Sequence, residues 1–262
     1  WLEDLTMSDY VTMEQSDEVM VVRFDRQGAL NALNQKMIIE LTEAAKLLAE
    51  DLTIKSVVLT GASTAFSSGV DLKDAQNWDL AGMTDTEIRR LFYRGVRLCQ
   101  AWEDLPQITI TAAEGMMVGG GCALGLACDW RVLARDAYVF VPEVQVGLNL
   151  QWGALPRLVT LVGPARAKEI CLLGEKISPE QALDWGLVTR VAEPSESVDV
   201  ALGLAQRCAE NPPIASTMVK EAANAIAGAL HRIGSYADAD QCQVSATNEI
   251  ATAARRRFTD KD

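Results

Sequence analysis

Three consecutive glycines, Gly119-Gly120-Gly121, stand between a strand-like run and the apolar stretch Cys122 to Cys128, and they constrain the fold more than any other feature. A strand that ends there and a helix that opens there leave backbone without side chains at a helix N-terminus. The first N–H groups of a helix have no intrahelical acceptor, and the helix dipole is positive at that end. Such a turn suits a phosphate, or the oxyanion that develops on a carbonyl. Tight packing of helix on strand would account for the glycines equally well. The segment lacks the Gly-Lys-Ser/Thr of a phosphate-binding Walker loop and is a poor match to GxGxxG.

Around this turn the chain alternates short apolar runs with amphipathic stretches. Val19–Phe24, Ser56–Thr60, Gln107–Ala113, Trp130–Ala134 and Ala137–Val141 read as strands. Met37, Leu41, Ala44 and Leu48 recur at helical spacing behind Asn34, a helix N-cap. Thr84 and Glu87 form a capping box for a helix with Ile88, Leu91, Gly95, Leu98 and Trp102 on one face. Ala165–Leu173 is a helix closed by Gly174, and Ser178-Pro179-Glu180-Gln181 caps another. After Pro194 only helices are expected, at Val198–Glu210, Ile214–Ile226 and Ser235–Phe258. The pattern predicts an α/β body over residues 7–197 with a helical region over 198–262. Because the sequence opens on Trp1, Met7 is the expected native start.

Composition narrows the function classes. Lys and Arg number 24 against 36 Asp and Glu, a net charge of −12, which is the wrong sign for a protein that tracks phosphate backbones. Nucleic acid is not expected as a partner. Six cysteines form no CxxC pair and lie mostly in apolar stretches, the usage of a reducing, cytoplasmic compartment. A single histidine, His231, leaves no poly-histidine metal site, and no metal or separate cofactor is expected. The glycine-rich stretch from Gly115 to Cys128 is too short to span a bilayer, and no apolar run behind a basic start suggests a secretory signal or a membrane partner.

Two further segments bear on chemistry. Ala65-Phe66-Ser67-Ser68-Gly69-Val70-Asp71-Leu72 is a second glycine turn after a predicted strand, able to offer an N–H to the same oxygen as the first, or simply to turn the chain. Val139 to Gly147 carries one carboxylate, Glu143, behind Pro142 and among apolar residues. Buried there, it would be desolvated and its pKa raised toward values useful for proton transfer; on an exposed loop it would do nothing of the kind.

Taken together these segments resemble the crotonase, or enoyl-CoA hydratase/isomerase, superfamily. The likeness runs from about Tyr10 to Lys261, through Asn31-Ala32-Leu33-Asn34, Phe66 to Lys73, Gly119 to Leu124, Ala127-Cys128-Asp129 and Pro142 to Gly147. It continues through Leu173 to Ser178, Ala182 to Val188 and Asn211-Pro212-Pro213. The resemblance implies a spiral of ββα turns holding an acyl-CoA thioester, and C-terminal helices that build a homotrimer or hexamer. It puts the oxyanion-hole amides at Val70 and Gly120, and the acid–base carboxylate at Glu143. Coenzyme A, as part of the substrate, would be lined by Ala29, Ala32, Phe66, Ser67 and Ser68. Phe258 and Lys261 would reach it from a neighbouring subunit, with Arg256 or Arg257 as alternatives to Lys261.

One departure from the family pattern bears on the reaction. Hydratases of this family carry two glutamates; the second falls on Glu143 and the first on Ala123, which cannot carry a proton. A single carboxylate suffices for a Δ3 to Δ2 double-bond shift, and the pair Ala123/Glu143 resembles that isomerase type. Hydration, or the hydratase–lyase reaction on hydroxycinnamoyl-CoA, is the alternative within the family, the latter expecting Tyr236 near a phenol. A non-catalytic acyl-CoA-binding protein is the alternative outside catalysis. Trp152, with Asn149 and Gln151, replaces the family's glycine-rich loop and is expected to reshape the acyl pocket. Asp71, Asp129 and His231 are expected to be structural.

Overall fold

A computed structural model describes residues 9–78, 80–246 and 248–259. A hairpin of β1 (Val11–Ser16) and β2 (Val19–Phe24) leads to α1 (Gln35–Glu50), β3 (Ser56–Thr60), α2 (Ala75–Trp78) and α3 (Asp85–Glu103). Next come β4 (Ile108–Ala113), β5 (Met116–Val118), α4 (Gly120–Ala127), β6 (Trp130–Ala134) and β7 (Tyr138–Phe140). A 3-10 turn at Glu143–Val146 precedes α5 (Ala154–Leu173), α6 (Pro179–Asp184) and β8 (Arg190–Ala192). The chain ends in α7 (Ser197–Ala209), α8 (Pro213–Ala227), α9 (His231–Ser235), α10 (Asp238–Ala246) and α11 (Glu249–Thr259).

The main sheet has the order β1-β2-β3-β4-β6-β8, antiparallel at the first pair and parallel thereafter. All five residues of β3 are buried, as befits a strand covered on both faces. On one face lies the apolar stripe of α1, with Met37, Leu41, Ala44 and Leu48 buried. On the other, α7 sets Ala201, Ala205 and Ala209 against Val19, Val58, Ile110 and Val132. Small alanines let this helix lie close to the sheet.

Each long strand hands the chain to a second, shorter layer, which makes the ββα spiral. Leu33 bridges Val70, Ser67 bridges Met117, β5 pairs with β7, and Val139 bridges Ile177. This layer carries the candidate site. The local caps form as their sequences predict: Asn34 Oδ1 accepts from the Met37 N–H at 2.8 Å, Thr84 and Glu87 close a capping box, and Ser178 caps α6.

Several elements differ from the sequence expectation. β1 was not expected, because only Val11 of its six residues is buried and polar residues mask the alternation. The helix expected at Ala165–Leu173 extends back to Ala154 across a kink at Gly163, next to Pro164. The single helix expected at Ser235–Phe258 is instead broken. Asp238 turns its carboxylate into the body, where Oδ2 accepts the Gly153 N–H at 2.8 Å, and Asn248 Oδ1 caps a fresh helix by accepting the Ala251 N–H at 2.7 Å. Among the described residues no helix is long and apolar enough to cross a membrane.

Candidate active site

The short layer brings both glycine turns and the lone carboxylate to one cavity of ≈ 200 Å³. Ser68, Gly69, Val70, Gly119, Gly120, Ala123, Pro142, Glu143 and Trp152 line it, with Leu72, Trp78, Val118, Phe140, Val146, Leu148, Leu150 and Gln151. The walls are apolar except at a few points, the usual makeup of a small-molecule site.

Backbone pairing aims the first amide. Leu33 donates to the Gly69 carbonyl at 2.7 Å and accepts from the Asp71 N–H at 3.0 Å, so the intervening Val70 N–H points away from Leu33. Gly120 is the first residue of α4, where an N–H has no intrahelical acceptor. The two lie together: a Cβ placed on Gly69 would stand 3.4 Å from the Gly120 nitrogen, and one on Gly120 would stand 2.9 Å from Val70 Cγ2. A side chain at either glycine would push this turn apart. The pair has the form of an oxyanion cradle, two donors held by backbone without freedom to rotate.

Glu143 opens the 3-10 turn that follows Pro142, fixed by a Leu148 N–H to Glu143 carbonyl bond of 2.8 Å. Its carboxylate rests against the glycine turn, since a Cβ on Gly119 would lie 2.8 Å from Oε1. Gly119 has φ +50°, a conformation that itself favours glycine. The residue as a whole is only partly covered, yet Oε2 is out of reach of solvent and without a hydrogen-bond partner. Burial among apolar groups pushes the carboxyl up to about 7, against an ordinary 4.5. Ala123 lines the same cavity one turn along α4, its N–H bonded to the Gly119 carbonyl at 2.9 Å.

Not every residue singled out in the sequence reaches this cavity. Of Phe66-Ser67-Ser68, only Ser68 lines it. The Phe66 ring is fully buried edge-on to Phe24, with centroids 5.1 Å apart, and Ser67 Oγ is turned to the Asn31 carbonyl at 2.9 Å. Ala29 and Ala32 flank that strand of chain, joined to it by the Ser68 N–H to Leu30 carbonyl bond. Tyr236 does not face the cavity: it is 77% exposed just beyond α9, and its carbonyl accepts the Tyr93 hydroxyl at 2.7 Å. Phe258 lies in α11 without a described side chain, and Lys261 lies outside the described residues. Asp71 pairs with Arg26 at 2.5 Å. Asp129 accepts from Thr109 and pairs with Lys220 at 2.8 Å, and His231 Nε2 meets Thr160 Oγ1 at 3.0 Å. None of these three lines the cavity.

Sequence reasoning missed the apolar wall from Leu72, Trp78, Val146 and Leu148, which packs on Cys242 and Ala246 of α10. No local pattern announces a contact between a loop and a helix a hundred residues on.

Residues 14–261 match the sequence profile of the enoyl-CoA hydratase/isomerase family. A short-chain-enoyl-CoA hydratase of Clostridium acetobutylicum is 33% identical over 215 residues, 82% of this chain and 80% of its own length. A crotonyl-CoA hydratase of Syntrophomonas wolfei is 31% identical over 215 residues, 82% and 81% of the two chains. The crystal structure of an enoyl-CoA hydratase/isomerase from Mycobacterium paratuberculosis superposes with a TM-score of 0.87 at 25% identity, covering 96% of this chain and 99% of the other. The ββα spiral, the paired glycine turns and these likenesses agree: the chain is an enzyme of the enoyl-CoA hydratase/isomerase family, within the crotonase superfamily.

Proposed function

We propose that the protein moves the double bond of a 3-enoyl-CoA thioester to the 2-position, with Glu143 shuttling one proton. The observation that carries this reading is that Glu143 is the one carboxylate among the described residues lining the cavity, while Ala123 offers no second acid. The Glu143 carboxylate takes a proton from C2. The electron pair left behind spreads through the conjugated system to the thioester oxygen, which accepts the Val70 and Gly120 N–H groups. The Glu143 carboxylic acid then returns the proton to C4, the double bond settles between C2 and C3, and the carboxylate is restored. Loss of one such oxyanion donor costs about 3–4 kcal/mol of barrier.

Hydration of a 2-enoyl thioester is the second reading, favoured by the names of the relatives above. It needs one group to activate water and another to deliver a proton, and each such group is worth about 10²–10⁴ in rate. The hydroxycinnamoyl reaction draws no support from the outward-facing Tyr236.

The raised carboxyl makes the pH dependence a test. A base that must be ionised, with its pKa pushed up to about 7, should give a kcat/KM for isomerisation that climbs through neutrality and levels off above it. A profile flat from pH 5 to 8 would remove Glu143 from the base role.

We assign the substrate's coenzyme A moiety to the joined segments Ala29–Ala32 and Ser68, with Phe258 and Lys261 contributing from a second subunit. Homotrimer or hexamer assembly is part of the same reading. It is supported by α8 and the residues after it, where Ile214, Met218, Val219, Ile226 and Ile233 are exposed. Sedimentation velocity at micromolar concentration should find a trimer or larger; a well-behaved monomer would contradict the assembly. A reducing, cytoplasmic setting is supported by six unpaired cysteines, five of them buried.

A further inference from the structure

Gly95 lies in the middle of α3, a 19-residue helix. Glycine is among the poorest residues for a helix interior, so its presence asks what the missing side chain makes room for. It is the indole of Trp152. A Cβ on Gly95 would stand 1.8 Å from Cε2, 2.0 Å from Nε1 and 2.3 Å from Cδ2 of that ring, so the indole occupies the notch completely. The opposite edge of the ring reaches the glycine turn, with Cη2 and Cζ3 each 3.1 Å from where a Gly120 Cβ would be. The indole therefore bridges α3 and the start of α4.

The loop beneath holds it there. Trp152 has φ +63°, an uncommon conformation for a bulky residue. Its carbonyl accepts from Arg157 Nη1 at 2.9 Å, and Arg157 is fixed by two bonds to Glu103, at 2.8 and 2.7 Å. The N–H of the same peptide, that of Gly153, is held by Asp238. Three elements thus pin one side chain across the cavity.

We infer that Trp152, seated in the Gly95 notch, is the stop that limits this enzyme to short acyl chains, with Gly95 a specificity-determining residue. The cavity of ≈ 200 Å³ falls below the roughly 300–1,000 Å³ of pockets that enclose drug-sized ligands. With the indole in place, the space between α3 and α4 is closed to an extended chain. The inference rests on the acyl-CoA reading but not on the direction of the chemistry, so binding of saturated thioesters tests it.

Calorimetry on the full chain with butanoyl-CoA and dodecanoyl-CoA should give wild type a preference for butanoyl-CoA of about tenfold or more, and Trp152→Ala should reverse it. Equal affinities in wild type, or an unchanged preference in Trp152→Ala, would overturn the inference. Absence of binding by either thioester would instead overturn the acyl-CoA reading beneath it. A second test needs no ligand. Gly95→Ala should lower the melting temperature of wild type by roughly 2–10 °C through overpacking, and should lower it far less in a Trp152→Ala background. Equal losses in both backgrounds would show that Gly95 does not serve the indole.

Discussion

Glu143→Gln is expected to lower isomerisation by at least about 10² while leaving acyl-CoA affinity nearly unchanged, because the amide keeps the shape of the side chain and cannot accept the proton. Activity within about tenfold of wild type would remove Glu143 from the mechanism. The same substitution should act on stability in the opposite sense. A carboxyl at about 7 in the folded chain and near 4.5 when unfolded holds its proton more tightly when folded. Stability therefore declines as pH rises from 4.5 toward 7 and stays reduced above it, by up to about 3 kcal/mol. Glutamine escapes that penalty. In urea melts, Glu143→Gln should be more stable than wild type at pH 8, with the advantage shrinking toward pH 5. An advantage equal at both values would mean that burial of the charge is not its source.

Asp129→Ala should do the reverse, damaging the fold and sparing the chemistry. The side chain of Lys220 in α8 is 3% exposed, its ammonium paired with Asp129 at 2.8 Å and bonded to the Gln107 carbonyl at 2.7 Å. Asp129 also accepts the Thr109 N–H and hydroxyl, at 2.8 and 2.9 Å. Removing the carboxylate leaves a buried cation facing one carbonyl, and breaking a buried pair in this way costs about 3–5 kcal/mol. For a chain of this size that is a fall in melting temperature of roughly 10 °C. Turnover per folded molecule should stay close to wild type, since Asp129 lies outside the cavity. A large loss of turnover without loss of stability would make Asp129 part of the site.

The contrast between these carboxylates shows what can be read from sequence. Glu143 was legible because its environment is local: Pro142, the flanking valines and the turn after them are all neighbours in the chain. Capping signals at Asn34, Thr84 and Ser178 were legible for the same reason, each being a bond between residues three apart. Asp129 needed Lys220, 91 residues on, before its role could be stated. Gly95 read only as one position on an apolar face, since the ring that fills its notch comes from a loop beyond the next four strands. Tyr236 was expected at the site from the resemblance alone, and the continuous helix expected over Ser235–Phe258 does not form: α9 ends at Ser235 and α10 opens at Asp238, which is bonded to Gly153. Patterns of period and cap fix elements; the faces those elements show to one another depend on partners far away.

A single carboxylate that moves one proton between two carbons should isomerise far better than it hydrates, and the ratio of the two rates tests this most directly. The ratio is measured with purified full-length protein on 2-enoyl-CoA and 3-enoyl-CoA of equal chain length, for wild type and for Ala123→Glu. Wild type should isomerise at least about 10² faster than it hydrates, and Ala123→Glu should raise hydration by placing a second carboxylate one turn along α4 from the glycine cluster. The gain should be partial, because a glutamate buried without hydrogen-bond partners tends to stay protonated. Wild type hydrating as fast as it isomerises, with Ala123→Glu adding nothing, would contradict the claim and put a water held by another group in place of the missing acid.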